Sequence, residues 1–111
     1  MAKNARFKLF DQQTLPSQQS IKSAVIDTSK SKGYFSIDGT VSGENGSVQF
    51  SYLTGDKDKM RTGKKINRSN VTDDDFSFDF QPAYTPYIQI KATNSGTSDS
   101  QITCKLNFSE E

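Results

Sequence analysis

Residues 36–54 read SIDGTVSGENGSVQFSYLT and carry the strongest folding signal of the chain. Apolar and polar side chains alternate on both sides of Asn45-Gly46, which is the period of a β-strand with one buried face. Asn-Gly tolerates the positive φ angles that both central residues of a type I′ turn require. The pattern therefore predicts two strands joined in a tight antiparallel hairpin, with Val48, Phe50 and Tyr52 on one face.

The same alternation extends outward along most of the chain. It recurs at residues 5–9, 21–27, 76–80 and 87–93, and it ends with Ile102, Cys104, Leu106 and Phe108 facing inward. Turn-forming residues separate these segments at intervals of about 8–12 residues, as is typical of small β-sandwiches. The sequence predicts an all-β fold, a single antiparallel β-sandwich of Ig-like or jelly-roll-like type with seven or eight short strands.

The N-terminal segment differs from the rest in composition. Residues 11–20 are polar and rich in glutamine and include Pro16, so they predict a loop or an extended arm. We expect residues 1–20 to form an N-terminal strand and polar arm, and residues 21–111 to form the β-sandwich domain. An arm with few contacts of its own becomes ordered against a neighbouring subunit.

The composition excludes several classes of enzyme. The 111 residues contain no histidine and one cysteine, so a Ser-His-Asp or Cys-His site, a histidine-bound metal and an intrachain disulfide are impossible. Leu, Ile, Val and Phe total only 23 residues, whereas Ser and Thr total 25, which predicts a thin core. We expect no catalytic residues, no cofactor and no metal site, and a buried, unreactive Cys104.

The net charge of +1 conceals an asymmetry along the chain. Residues 1–68 hold 12 basic and 6 acidic side chains, and residues 69–111 hold 2 and 7, so +6 is followed by −5. Either the two signs intersperse after folding, or the chain associates with a charged neighbour. Residues 57–68 predict a loop with a short strand at residues 64–66. These twelve residues include six basic side chains: Lys57, Lys59, Arg61, Lys64, Lys65 and Arg68.

This basic segment has three interpretations. It is a docking loop for an acidic protein surface, a phosphate-binding loop or a solvated loop without a partner. Nucleic-acid binding is the less favoured function because no aromatic side chain lies among the cations, whereas single-strand binding uses aromatic stacking.

Two other groups of residues have a functional and a structural interpretation. Tyr84 and Tyr87 lie beside Pro82 and Pro86, and they either form surface aromatics for carbohydrate stacking or pack over one end of the sandwich. The acidic run at residues 73–75 either binds a cation or forms a solvated turn. The turn is favoured because three consecutive side chains of an extended strand cannot all face one ion.

Two blocks of the sequence resemble a family of small β-sandwich proteins encoded among the virion genes of tailed bacteriophages. Members tend to show a "SGTVSG-x-G-x-V-x-F-x-Y" block and later "F-x-P-x-x-x-P-[FY]-I-x-I-x-x-T-x-[ST]-G", followed by an alternating last strand. The matching residues, within 37–108, are Gly39, Thr40, Val41, Ser42, Gly43, Gly46, Val48, Phe50, Tyr52, Phe80, Pro82, Pro86, Tyr87, Ile88, Ile90, Thr93, Ser95 and Gly96. Between the blocks the family commonly has "S-N-D-G-x-x-F", whereas this chain has TGDKDKM and then its basic segment.

The resemblance implies a non-enzymatic virion structural protein, such as a decoration or minor capsid protein or a component near the head–tail junction. Its partners are then capsid or other virion proteins, and it is a homo-oligomer or is present in many copies on the particle. The resemblance also implies that the protein is located in the virion. We expect it to be made in the host cytoplasm because the chain has neither an 18-residue apolar run nor a signal-peptide pattern. The alternative is a carbohydrate- or cell-surface-binding module, and a small nucleic-acid-binding domain is less favoured.

Overall fold

The computed structural model describes residues 3–43, 48–56, 58–71, 75–82 and 86–110, and the side chains of these except Lys3 and residues 62–71. These residues form nine strands. They are β1 (Lys3–Leu15), β2 (Ser20–Lys22), β3 (Ile26–Asp27), β4 (Ser31–Ser42), β5 (Val48–Asp56), β6 (Lys59–Val71), β7 (Asp75–Phe80), β8 (Tyr87–Asn94) and β9 (Ser100–Glu110).

The strands form two antiparallel sheets. Sheet A has the order β1-β9-β4-β7, and sheet B has the order β2-β8-β5-β6 with β3 also paired to β8. Because β2 and β3 lie on the same neighbour, they are two parts of one interrupted strand. Counted in this way, four strands face four strands in the double Greek-key order of a jelly roll. The predicted antiparallel sandwich is confirmed, and the strand order selects the jelly-roll type.

The predicted hairpin between the two halves of residues 36–54 was wrong. β4 pairs with β7 and β9 in sheet A, whereas β5 pairs with β6 and β8 in sheet B. Asn45 and Gly46 lie outside the described residues. Alternation identifies a strand with one buried face, but it does not specify which strand lies beside it, because both sheets bury their inner faces against the same core.

The core lies between the sheets and contains the predicted inward positions of β9. Ile102, Cys104, Leu106 and Phe108 are each at most 5% exposed. The rings of Phe50 in sheet B and Phe76 in sheet A are 4.9 Å apart, so aromatic packing joins the two layers directly. Such a pair contributes about 0.5–1.5 kcal/mol beyond its buried area, which helps a core with few leucines to hold the sheets together.

Residues 11–15 belong to the edge strand β1 instead of the predicted loop or extended arm, and residues 16–19 form the turn between β1 and β2. β1 continues through this segment to Leu15, which is fully buried, and β2 begins at Ser20. Two register shifts in the pairing of β1 with β9, between Lys8 and Gln13, break the regular alternation. The division of the chain at residue 20 into separate units stays a prediction.

Candidate functional site

The basic segment forms most of an edge strand instead of a loop. Residues 59–71 are β6, whose described pairing is with β5 alone. The prediction of a loop failed because β6 has more residues than β5 between two of their pairs: Gln49 lies opposite Asn70, but Ser51 lies opposite Lys65. These extra residues are a bulge, and they remove the period-two pattern by which a strand is recognised.

The predicted docking cations are distributed along this edge. Lys59 and Arg61 are exposed at the start of β6. The backbone of β6 also carries Lys64, Lys65 and Arg68, while Lys57 lies outside the described residues. Their role in docking stays a prediction, but the structure places these residues on an edge strand instead of a loop. Such an edge presents main-chain donors and acceptors to a partner, and lysine on it also hinders unspecific strand pairing.

The predicted aromatic pair is only half described. Tyr87 is the first residue of β8, where it is half-buried opposite Asp27 and Gly55. Tyr84 lies outside the described residues. Tyr87 is therefore part of a central strand, and the use of these two rings in carbohydrate binding stays a prediction.

The structure brings together a different set of polar residues, which the sequence analysis missed. They line a trough of about 960 Å³ over the outer face of sheet A. It is lined by Asn4, Arg6, Tyr34, Ser36, Asp38, Asp79, Gln81, Asn107 and Ser109, and it is also bordered by Ala5, Phe35, Phe80 and Phe108, which belong to the core or pack against it. The alternation around Phe35 and Ile37 indicated that Tyr34 points outward. Nothing in the sequence, however, aligned Tyr34 with residues 70 positions away on β9.

Hydrogen bonds fix the centre of this trough. Arg6 Nη2 lies 3.2 Å from Asp38 Oδ2 as an ion pair across β9. Between them, the Asn107 amide donates to Ser36 Oγ at 3.3 Å and to Asp38 Oδ1 at 3.4 Å. These contacts link side chains of three neighbouring strands, β1, β9 and β4.

Only two described titratable groups have clearly shifted pKa values, and neither lines the trough. Hydrogen bonds from the Ser29 main-chain N–H and hydroxyl lower the pKa of the exposed Asp27 carboxyl, which closes a turn before β4. Burial raises the pKa of the Cys104 thiol to about 12. At that value the thiol stays protonated at neutral pH, so it is a poor nucleophile and metal ligand. Cys104 is buried, as predicted.

The acidic run at residues 73–75, for which a solvated turn was favoured over a cation site, is described only at its last residue. Asp75 is exposed at the start of β7, and residues 73 and 74 lie outside the described residues. Within the described ranges, no three acidic or cysteine side chains are grouped to hold a metal ion.

Comparisons with known proteins identify the fold. No family model and no curated protein sequence matches the chain. The chain is similar to the SPBc2 prophage-derived protein YomS, at 12% identity and a TM-score of 0.55, with 99% of this chain and 96% of that one covered. It is also similar to a subunit of the disulfide-linked pili of Bacillus endospore appendages, at 12% identity and a TM-score of 0.59, with 100% and 92% covered.

The fold also occurs inside longer chains. In the VP2 subviral particle of infectious bursal disease virus, 33% of the VP2 chain matches 99% of this one, at 12% identity and a TM-score of 0.67. About a tenth of tripeptidyl peptidase 2 matches as well, at 10% identity and a TM-score of 0.68. At such identities the likeness concerns the fold alone, which prophage, capsid and pilus proteins share.

The described residues contain no helix that is long and apolar enough to cross a membrane.

Proposed function

We propose that the chain is a non-enzymatic structural protein of a bacteriophage virion, present in many copies as a decoration or minor capsid protein. The observation that carries this proposal is a pair of long edge strands. β1 and β6 are 13 residues each, about twice the usual strand length, and each is described as paired along one side only. Long edges offer main-chain groups to neighbouring subunits, which is how strand addition joins chains.

The fold supports the same role. The full-length similar structures come from a prophage protein and a pilus subunit, and the capsid protein VP2 contains the fold as one part. The jelly roll is an architecture that recurs in viral capsid domains. Capsid or other virion subunits are therefore the proposed partners, and the virion is the proposed location.

Charge favours β6 as the docking edge. Lys59 and Arg61 are exposed there, next to the further basic residues of the same strand. A basic edge attracts an acidic surface and repels a second basic edge, so it selects an unlike partner over uncontrolled pairing of identical edges. We propose that β6 meets an acidic strand or loop of the capsid.

Purified particles of the phage that encodes the chain provide the test. Quantitative mass spectrometry of density-banded particles should find the chain at a fixed, high ratio to the major capsid protein. The double variant Lys59→Glu/Arg61→Glu should be lost from particles. The control Lys22→Glu/Lys32→Glu changes the charge equally at exposed positions away from β6 and should be incorporated normally.

The two parts of the proposal fail separately. Absence of the wild-type chain from particles contradicts the virion role. Normal incorporation of the β6 variant contradicts docking through this edge and leaves the virion role standing.

A further inference from the structure

One row of side chains crosses the whole outer face of sheet A. Arg6 on β1 lies opposite Asn107 on β9, Asn107 lies opposite Ser36 on β4, and Ser36 lies opposite Asp79 on β7. Adjacent strands are about 4.8 Å apart, so this row of a guanidinium, an amide, a hydroxyl and a carboxylate extends roughly 14 Å. It forms the floor of the trough described above.

An aromatic ring stands beside this row. Tyr34 lies two residues before Ser36 on β4, and it is 68% exposed although it lines the trough. The only other large apolar side chain described as exposed, Phe7 at 38%, stacks on Phe108 with ring centroids 5.7 Å apart. A tyrosine left this open at the side of a polar trough is available for a ligand to stack on.

The charge of the trough selects the chemical class of the ligand. Arg6 is paired with Asp38, so Asp79 leaves a slight negative excess. Such a surface disfavours phosphate and other anions. The guanidinium donates hydrogen bonds, the carboxylates accept them, and the amide does both. Such a set suits a neutral molecule that is rich in hydroxyl groups and has apolar ring faces, which stack on an aromatic side chain.

We propose that this trough is a binding site for a neutral oligosaccharide. Tyr34 stacks on one sugar ring, and Asp79, Asn107 and Arg6 bind hydroxyl groups of that ring and of the neighbouring sugar units. The volume of about 960 Å³ is near the upper end of the usual range for ligand sites, about 300–1,000 Å³, so it accommodates more than one sugar unit. The contacts among Arg6, Asp38 and Asn107 favour the arrangement of side chains that the sugar meets.

The site is compatible with the structural role and independent of it. The trough lies on sheet A, whereas the docking edge β6 belongs to sheet B. A copy attached to a particle through β6 can therefore present the trough outward. In that arrangement the chain would fasten the particle to cell-surface glycans.

The test uses the full chain on a printed array of neutral hexose and N-acetylhexosamine oligosaccharides, with anionic glycans on the same array. Calorimetry with the strongest neutral binder then gives dissociation constants for the variants. Tyr34→Ala and Asp79→Ala should each weaken binding by about tenfold or more. Tyr34→Phe keeps the ring and should stay within about threefold, since it loses at most a hydroxyl contact.

Control variants separate the trough from general effects. Asp58→Ala removes an equally exposed carboxylate near the β5–β6 hairpin and should leave binding unchanged. Circular dichroism confirms that each variant is folded. Binding to anionic glycans alone, equal affinity of the wild type and Tyr34→Ala, or no array binding at all would each overturn the proposal.

Discussion

The side-chain amide of Asn94 donates a hydrogen bond to the main-chain carbonyl of Leu15 at 3.1 Å, and both residues are fully buried. Asn94 ends β8 in sheet B, and Leu15 ends β1 in sheet A. The same amide donates to the Ser98 carbonyl at 2.9 Å, and its oxygen accepts from the Gly96 N–H at 2.9 Å. One buried side chain therefore joins the ends of the two sheets and shapes the connection to β9.

Replacing this asparagine should strongly destabilise the fold. Asn94→Ala leaves the carbonyl of Leu15 and the N–H of Gly96 buried without their side-chain partner, at a cost of about 1–3 kcal/mol for each unpaired group. We expect the free energy of unfolding in urea to fall by about 3 kcal/mol. The matched control is Ser20→Ala at the exposed Ser20–Thr93 hydroxyl pair (2.8 Å), which should change it by less than about 0.5 kcal/mol. Equal effects of the two substitutions would contradict this account.

The sequence predicted most strands correctly, but it did not predict which strands pair with each other. A strand with one buried face produces local alternation, which is why Ile102 to Phe108 were assigned correctly. Pairing depends on contacts between distant residues. The two halves of residues 36–54 both show the alternation of a hairpin strand, but they lie in different sheets, where each pairs with two other strands. The polar connection NSGTSDS, residues 94–100, likewise joins strands of different sheets, β8 and β9.

At Gly39, β4 lies very close to the main chain of β9 in sheet A. A Cβ atom at this position would lie 1.8 Å from the Thr103 carbonyl oxygen on β9, so Gly39→Ala forces β4 and β9 apart. We expect a loss of about 3 kcal/mol or more in urea unfolding.

A second glycine variant, Gly33→Ala, separates the effect of the steric clash at position 39 from that of backbone strain. Gly33 has a φ of +101°, and a Cβ there would meet nothing within 4 Å. Gly33→Ala should therefore cost only the conformational strain, about 1–3 kcal/mol. A larger loss of unfolding free energy for Gly33→Ala than for Gly39→Ala would show that the close approach to Thr103 is not the main reason for glycine at position 39.

The candidate sites illustrate the same limit of sequence reasoning. The basic segment was recognised by composition, but its strand was hidden because the bulges opposite β5 disturb the alternation. The trough on sheet A was not recognised, since its row joins Arg6, Ser36, Asp79 and Asn107 from four separate strands. Each is an ordinary outward polar residue in its own segment, and only the strand order aligns them.

Two buried serines should respond in opposite ways to substitution. Ser100 Oγ is buried and makes no hydrogen bond with the described residues, so Ser100→Ala removes the cost of burying a hydroxyl. We expect unchanged stability or a gain of up to about 1 kcal/mol. Ser23 Oγ donates to the Ala24 carbonyl at 2.8 Å and accepts from the Ile90 N–H at 3.0 Å, so Ser23→Ala should cost about 1–2 kcal/mol. Thermal and urea unfolding of both variants measure the difference, and a loss for Ser100→Ala as large as that for Ser23→Ala would contradict the assignment.

The buried thiol of Cys104 should make the protein sensitive to alkali. Burial raises its pKa from 9.0 to about 12, whereas in the unfolded chain it ionises near 9. A raised folded pKa contributes stability that is complete below pH 9 and is lost progressively as the pH rises toward 12. The loss from this one group is on the order of 1 kcal/mol at pH 10. Lysine and tyrosine also titrate in this range, so the measurement is the difference in pH slope of urea unfolding between the wild type and Cys104→Ala. The variant should be the less sensitive of the two between pH 8 and pH 11, whatever its stability at pH 7.

A thiol reagent gives an independent check, because Cys104 should react only at the rate of unfolding. Rapid labelling of the native protein at pH 8, together with equal pH slopes, would mean that the thiol is accessible and the burial argument wrong.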